Sequence, residues 1–270
     1  FRVDGSPEVG LGHLMRCLAL AQSLELCGIE SAFAVRSSSV PLCKARHDWV
    51  GDIIIVPDSL TLQDEPYWLA ECVRSNRANC LVIDSYQFDL AYRQAVYLIP
   101  VAHVCFDDTN SLLRIPTDLI INGAKGAEKL GYETTAADAR LCIGASYRVL
   151  RNEFLSQTTV PWGERTSLTI CMGGSDPGNF TLPLLAALEN KGFEAPISLV
   201  TGAAFANLDA LNSFLGSTVL NVEHKHDCQE MAALFSHSRL CVSAAGGTQF
   251  ELMACACPSV LLIIADNQNI

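Results

Sequence analysis

The chain opens with a stretch that reads FRVDGSPEVGLGHLMRCLALAQSLELCG, residues 1–28. Residues 1–4 have the character of a short strand, and a turn containing several glycines then leads into a helical pattern. Apolar side chains recur there at i, i+3, i+4, i+7 and i+10, from Leu14 to Leu24, and Gly28 stands where such a helix would end. The stretch therefore predicts a strand, a glycine-rich turn and an amphipathic helix.

The same alternation of short apolar runs and amphipathic stretches continues along the rest of the chain. Further strands are predicted at residues 32–36, 52–56, 80–84, 103–106, 118–121, 167–171, 197–201, 218–222, 240–243 and 260–264. Strands that alternate with helices are typical of parallel sheets with crossover helices. Eleven strands in one open sheet would be unusual, so we expect two sheets.

The periodicity lapses at residues 147–166, where Pro161, Gly163 and several charges interrupt it. We therefore predict two α/β domains, residues 1–155 and residues 156–270, each opening with a glycine-rich turn. Two such domains usually bind their ligand in the cleft between them, beyond the carboxyl ends of the strands. The chain begins at Phe1 and stops at Ile270 without a closing helix, so we expect the second domain to be truncated.

Composition excludes several classes of partner. The chain has 18 Lys and Arg against 29 Asp and Glu, a net charge of −11, so the basic surface that nucleic acid or anionic lipid requires is missing. No apolar run approaches the roughly 20 residues of a membrane span, and no N-terminal segment has the basic region, apolar core and small-residue cleavage site of a secretion signal. We expect no nucleic-acid partner, no stable membrane association and a cytoplasmic location.

Twelve cysteines are present, and ten of them are spread through apolar periodic segments. We expect those ten to behave as small buried hydrophobes. The remaining two, Cys255 and Cys257, form a C-x-C that lacks the paired spacing of a zinc site. A reducing compartment is therefore favoured.

His13 is the first candidate for chemistry, because it follows Gly12 at the predicted strand-to-helix turn. The helix N-terminus offers unpaired N–H groups to anions, and a neutral imidazole there could act as a base. A lone histidine can equally be structural, and the sequence alone leaves both interpretations open. Arg16 lies one turn further along the same helix.

Two glycine-rich loops follow predicted strands of the second half. The stronger reads SAAGGTQFE, residues 243–251; its amides and Thr248 could take a diphosphate, and Glu251 could accept ribose hydroxyls. Glu251 could instead only stabilise the helix dipole. The other loop, residues 171–179, contains Gly174. It is either ligand-facing or a tight turn before a helix, which Asp176, Asn179 or Thr181 could cap.

Further polar clusters follow other predicted strands. Asp84 and Tyr86 end one strand of the first half, and Asp84 could orient a substrate or a catalytic histidine. For Asp107 and Asp108, the sequence does not decide between a functional role and a capping role. The segment His224-Lys225-His226-Asp227 is placed after a strand, with Asp227 predicted to cap the next helix rather than to bind metal.

Taken together, these motifs resemble the UDP-sugar hydrolases of the pseudaminic acid pathway and related spore-coat polysaccharide proteins. The resemblance runs from the first 21 residues through Asp84-Ser85-Tyr86, Phe106-Asp107-Asp108, Gly173-Gly174-Ser175-Asp176-Pro177, the loop 243–251 and Asn267-Gln268. It implies a GT-B-like fold, two Rossmann-like domains facing across a cleft. This chain departs from the family pattern at Ser85 and Gly247.

The resemblance also implies an activity, the release of UDP from a UDP-linked diacetamido-trideoxy sugar, without metal or cofactor. His13 would be the general base that activates water at the anomeric carbon. The substrate would be bound by Gly12, Asp84, Tyr86, Gly174, Ser243, Gly246, Gly247, Thr248, Glu251, Asn267 and Gln268. Two alternatives stay open: a glycosyltransferase that uses a UDP-sugar donor, and a nucleotide-sugar binding protein without catalysis.

Overall fold

The computed structural model describes residues 1–5 and 11–264, which form two compact units. The first is Phe1–Val149, and the second begins at Leu150. The sequence placed the division at residue 155, but Phe154 packs in the core of the second unit, with its ring centroid 6.4 Å from that of Phe235. Residues 150–155 are therefore part of the second unit.

The first unit is a seven-stranded parallel sheet of order β3-β2-β1-β4-β5-β6-β7 with helices between the strands. Its strands are β1 (Arg2–Val3), β2 (Ala32–Arg36), β3 (Asp52–Val56), β4 (Cys80–Asp84), β5 (Ala102–Phe106), β6 (Leu119–Asn122) and β7 (Arg140–Ile143). Its helices are α1 (Gly12–Glu25), α2 (Val40–Ala45), α3 (Glu65–Ser75), α4 (Leu90–Tyr97) and α5 (Tyr132–Thr135). Strand β7 was not predicted, because its four residues include Arg140 and form the edge of the sheet.

The second unit is a five-stranded parallel sheet of order β10-β9-β8-β11-β12. Its strands are β8 (Ser167–Cys171), β9 (Ile197–Thr201), β10 (Val222–His226), β11 (Ser238–Ala244) and β12 (Ser259–Leu262). Its helices are α6 (Asn152–Leu155), α7 (Thr181–Asn190), α8 (Leu208–Leu215), α9 (Met231–His237) and α10 (Thr248–Ala254). Both sheets contain the strand order 3-2-1-4-5 of a Rossmann-type unit.

Two local predictions in the second unit are wrong. A strand was predicted at 218–222, but the strand in this region is β10, which pairs with β9 from Val222 to His226. His224 and His226 therefore lie on an edge strand and do not follow one. Asp227 does not cap α9, which begins at Met231; instead the carboxylate of Glu153 accepts the N–H of Ala232 at 3.0 Å. The cap of α9 is therefore Glu153, which is distant in sequence, and not the nearby Asp227.

Apolar side chains cover both faces of each sheet, which explains the near-continuous apolar runs of the strands. All twelve cysteines are free thiols. Of the ten expected to be buried, five are buried and Cys72, Cys142 and Cys228 are partly exposed. Cys27 and Cys80 are exposed, since the first follows the end of α1 and the second opens β4. Among the described residues, no helix is both long and apolar enough to cross a membrane.

Candidate active site

The first unit gathers His13, Arg16, Asp84, Tyr86 and Asp108 into one group, called here the His13 cluster. His13 and Arg16 lie on the first turns of α1, and Asp84 is the last residue of β4. Strand β1 pairs with β4 with Val3 opposite Asp84, which brings the start of α1 beside the end of β4. Asp108 follows β5, the next strand of the sheet.

Asp84 is the centre of the cluster. It is 1% exposed, and its Oδ1 lies 2.7 Å from His13 Nδ1. Arg16 donates to both of its oxygens, from Nε to Oδ2 and from Nη2 to Oδ1, each at 2.6 Å. Both oxygens of the Asp84 carboxylate are therefore hydrogen-bonded, one of them to His13 and both of them to Arg16.

Two groups contact His13 Nδ1: Asp84 Oδ1 at 2.7 Å and Arg16 Nη2 at 3.2 Å. An ionised carboxylate can only accept hydrogen bonds and a guanidinium can only donate them, so the shorter contact favours the tautomer in which Nδ1 carries the proton and donates it to Asp84. In the neutral ring, Nε2 is then the acceptor. His13 is consequently prepared to take a proton at Nε2, and the imidazolium that results would be stabilised by Asp84.

Arg16 keeps Asp84 ionised. Burial alone raises the pKa of Asp84, but the charge of Arg16, its hydrogen bonds and the bond from His13 outweigh burial and bring the pKa to about 2. Burial also raises the pKa of Asp108, but the charge and hydrogen bonds of Arg16, together with the hydrogen bond from Tyr86, outweigh burial and lower that pKa. Both carboxylates are therefore charged at neutral pH.

Tyr86 forms the outer wall of the cluster. Its hydroxyl donates to Asp108 Oδ2 at 2.7 Å, and its ring meets that of His13 edge-on with centroids 4.6 Å apart. Arg16 Nη1 donates to both oxygens of Asp108, at 2.7 and 2.8 Å. Asp108, which the sequence left undecided, thus connects the exposed Tyr86 to the partly buried Arg16.

Gly12 is exposed, and a Cβ built on it would meet no heavy atom of the described residues within 4 Å. The packing of the described residues therefore does not require glycine at that position. Asn267 and Gln268 lie outside the described residues.

In the second unit, the two glycine-rich loops leave neighbouring strands. Ser243 of β11 lies opposite Cys171 of β8, so both loops start at the same edge of the sheet. Ser243 is buried, and its Oγ donates to the carbonyl of Ala244 at 3.2 Å. Gly246, Gly247 and Thr248 reach the surface and are the part of the loop that a ligand could meet.

Gly174 lies against Gly202, a residue that the sequence analysis did not single out. A Cβ on Gly202 would lie 2.5 Å from the Cα of Gly174, and the carbonyl of Gly174 accepts the N–H of Ala204 at 3.2 Å. Asp176 caps α7, since its carboxylate accepts the N–H groups of Phe180 and Thr181, both at 2.9 Å. This loop therefore has a structural role, whether or not it also meets a ligand.

Glu251 lies in the first turn of α10, and its Oε1 is 3.4 Å from Arg151 Nη2. Arg151 comes from the segment just before α6 and also pairs with Glu153. Arg151 could not be singled out from the sequence, because it lies in the stretch predicted as the break between the domains. The only available signal was its positive charge.

His224 and His226 converge on Thr201, whose Oγ1 is 2.8 Å from His224 Nε2 and 3.0 Å from His226 Nδ1. Burial, and then the neighbouring His226, lower the pKa of His224. Within residues 1–5 and 11–264, no group of three or more His, Cys, Asp or Glu side chains is placed to hold a metal ion.

No protein-family model matches the chain. An uncharacterized protein of Methanocaldococcus jannaschii is 25% identical over 270 residues, which is 96% of this chain and 54% of that protein. The chain thus spans about half the length of that relative. The UDP-2,4-diacetamido-2,4,6-trideoxy-beta-L-altropyranose hydrolase of Campylobacter jejuni is 26% identical over 247 residues, 90% of this chain and 84% of the hydrolase.

Solved structures are similar over nearly the whole chain. The glycosyltransferase SnogD from Streptomyces nogalater superposes with a TM-score of 0.63 at 16% identity, covering 99% of this chain and 82% of SnogD. The fold is that of the GT-B proteins. MurG of Acinetobacter baumannii gives 0.58 at 14% identity over 99% and 79% of the two chains. HepE of Anabaena, solved with UDP-glucose, gives 0.59 at 13% identity over 96% and 79%.

Proposed function

We propose that the chain is an inverting hydrolase that releases UDP from a UDP-linked diacetamido-trideoxy sugar. The observation that carries this proposal is the buried pair of His13 and Asp84, with Nδ1 and Oδ1 2.7 Å apart. The pair leaves Nε2 as a proton acceptor, which is what activation of water requires. The similarity to the Campylobacter jejuni hydrolase supports the choice of substrate.

The reaction needs one proton acceptor and one leaving group. Nε2 of His13 takes a proton from water as the water oxygen bonds to the anomeric carbon. The bond from that carbon to the β-phosphate oxygen breaks on the opposite face, and UDP leaves with the electron pair. Asp84 stabilises the imidazolium, and the product is the free sugar with inverted configuration.

Substrate contacts are assigned to both units. Gly12 and Tyr86 would border the sugar beside His13, together with Asn267 and Gln268, while Asp84 would act through His13. Gly246, Gly247 and Thr248 would hold the diphosphate with backbone and hydroxyl donors, and Glu251 would accept the ribose hydroxyls. Gly174 and Ser243 would support these loops. Neither a metal nor a cofactor is part of the proposal.

We propose that the reaction takes place in the cytoplasm, because the reducing conditions of that compartment would keep the twelve free thiols of the chain reduced.

Glycosyl transfer is the second candidate, because the same Nε2 could deprotonate a hydroxyl of an acceptor instead of water. The glycosyltransferase SnogD has this fold, although a likeness at 16% identity bears on the fold alone. The two functions differ in whether UDP appears without an acceptor.

The test is incubation of the protein with a panel of UDP-sugars, with and without acceptors. UDP release is measured enzymatically, and the sugar is observed by NMR. We expect release without acceptor, and His13→Asn should lower kcat by about two to four orders of magnitude while UDP affinity stays nearly unchanged. His237→Asn, an exposed histidine of α9, is the matched control and should keep full activity.

Other outcomes would point elsewhere. Release that depends on an acceptor would favour the transferase. UDP-sugar binding without any turnover would favour a binding protein, and a loss in His13→Asn that appears only as a raised KM would make the histidine a binding residue.

A further inference from the structure

Arg151 is a buried cation that the proposed mechanism does not use. Its side chain is 7% exposed. Its guanidinium pairs with the carboxylate of Glu153, stacks over the ring of Phe154 at 5.0 Å, and donates to Glu251 Oε1 at 3.4 Å. Of its two carboxylate partners, Glu251 lies beside the glycine-rich loop 243–248.

The other partners of Arg151 are themselves fixed. Glu153 accepts the N–H of Ala232 at the start of α9, at 3.0 Å, and Phe154 belongs to the apolar core of the second unit. The guanidinium therefore has little freedom to move away from Glu251. Because a guanidinium is planar and permanently charged, it sets the orientation of a carboxylate more strictly than an ammonium does.

Glu251 needs such a partner for the role assigned to it. A glutamate beside a diphosphate would repel the ligand, and a free glutamate samples many rotamers, which ligand binding would have to restrict. A cation at Oε1 offsets the charge and selects one orientation. The carboxylate has about four lone-pair positions, so others remain for hydroxyl donors.

We propose that Arg151 is a positioning residue of the nucleotide site: it holds Glu251 in the orientation that accepts the ribose hydroxyls of a nucleoside diphosphate. This inference rests on the proposed function, which places UDP at Glu251. The first residues of the second unit thereby contribute to ligand recognition, through a residue that does not touch the ligand.

The test compares UDP with 2′,3′-dideoxy-UDP, which lacks both ribose hydroxyls, by isothermal titration calorimetry. Wild-type protein should bind UDP more tightly than the dideoxy nucleotide. Arg151→Gln should weaken UDP binding by about 5- to 30-fold and change dideoxy-UDP binding little, so that the preference for the ribose largely disappears. Arg151→Lys keeps the charge without the planar group and should retain part of the preference.

Two controls separate positioning from general damage to the fold. Arg239→Gln removes the same charge from an exposed arginine that also stacks on a ring, that of Trp162 at 5.4 Å, and should leave both affinities unchanged. In a Glu251→Gln background, Arg151→Gln should cause little further loss, because coupled residues are not additive.

The outcomes are distinct for the two proposals. Equal binding of the two nucleotides by wild type would contradict the ribose assignment of the proposed function, and this inference with it. A wild-type preference that survives intact in Arg151→Gln, or equal losses for both nucleotides, would overturn the inference alone. If Arg151→Gln does not fold, Arg151→Lys provides the test. A full wild-type preference for UDP over dideoxy-UDP in Arg151→Lys, together with an additive effect when it is combined with Glu251→Gln, would contradict the coupling of Arg151 to Glu251.

Discussion

Replacing Asp84 with asparagine tests the central pair of the His13 cluster with almost no change in shape. Asparagine keeps one oxygen and turns the other into an NH2 donor. Every observed partner of Asp84 in this cluster donates: His13 Nδ1 at 2.7 Å, and Arg16 Nε and Nη2 at 2.6 Å each. The new NH2 group must therefore face a donor.

If the NH2 group faces His13, it donates to Nδ1 and moves the ring proton to Nε2. The ring then cannot accept a proton from water, and the base is lost without loss of the histidine. We expect Asp84→Asn to lower kcat by about two to four orders of magnitude, the usual contribution of a positioned base. UDP affinity should stay close to that of wild type, because the nucleotide site is assigned to the second unit.

The same substitution should lower the free energy of unfolding. The pKa of Asp84 is about 2, against 3.8 for an ordinary aspartate, and this difference corresponds to about 2 kcal/mol of stabilisation of the charged form. Steady-state kinetics and urea denaturation at pH 7 measure the two effects. A folded Asp84→Asn protein with a kcat within about threefold of wild type would refute the tautomer argument.

Two further predictions concern stability. Because the folded protein holds the pKa of Asp84 below its unfolded value, the stabilising contribution of Asp84 is present above about pH 4 and is lost as the pH falls towards about 2. Urea denaturation across this range should therefore show that the free energy of unfolding declines more steeply for wild type than for Asp84→Asn; parallel declines would contradict this prediction. Glu65 is fully buried and accepts hydrogen bonds from Arg2 Nε at 2.5 Å, from Arg36 Nη2 at 2.5 Å and from Tyr92 Oη at 2.7 Å. Glu65→Gln should therefore lower the free energy of unfolding by about 3 kcal/mol, whereas Glu71→Gln, at an exposed position of the same helix, should lower it by less than about 1 kcal/mol. Similar losses for both variants would refute the importance of the buried network.

Much of the fold could be predicted because periodicity reports burial. The strands covered on both faces gave continuous apolar runs, and the prediction of two parallel sheets in a GT-B fold is confirmed. Edge strands carry weaker patterns, which is why β7 was missed and β10 was placed four residues too early. Strand β10 reads VEHKH, a largely polar sequence whose five residues pair with β9.

The candidate site shows a similar division. His13, Asp84 and Tyr86 could be singled out because glycine turns and strand ends mark them, and the first unit brings these three together. The roles of Arg16, Asp108 and Arg151 could not be predicted, since each depends on a contact between residues at least 68 positions apart. Whether these residues perform the proposed reaction remains a prediction.

The fate of the water oxygen tests the proposed reaction most directly. The UDP-linked sugar is incubated with the protein in water enriched in ¹⁸O, without acceptor, and both products are analysed at early times by mass spectrometry and NMR. We predict ¹⁸O at the anomeric position of the sugar, none in the released UDP, and inverted configuration at the anomeric carbon. Label in the phosphate of UDP, or no release of UDP until an acceptor is added, would contradict attack by water activated at His13.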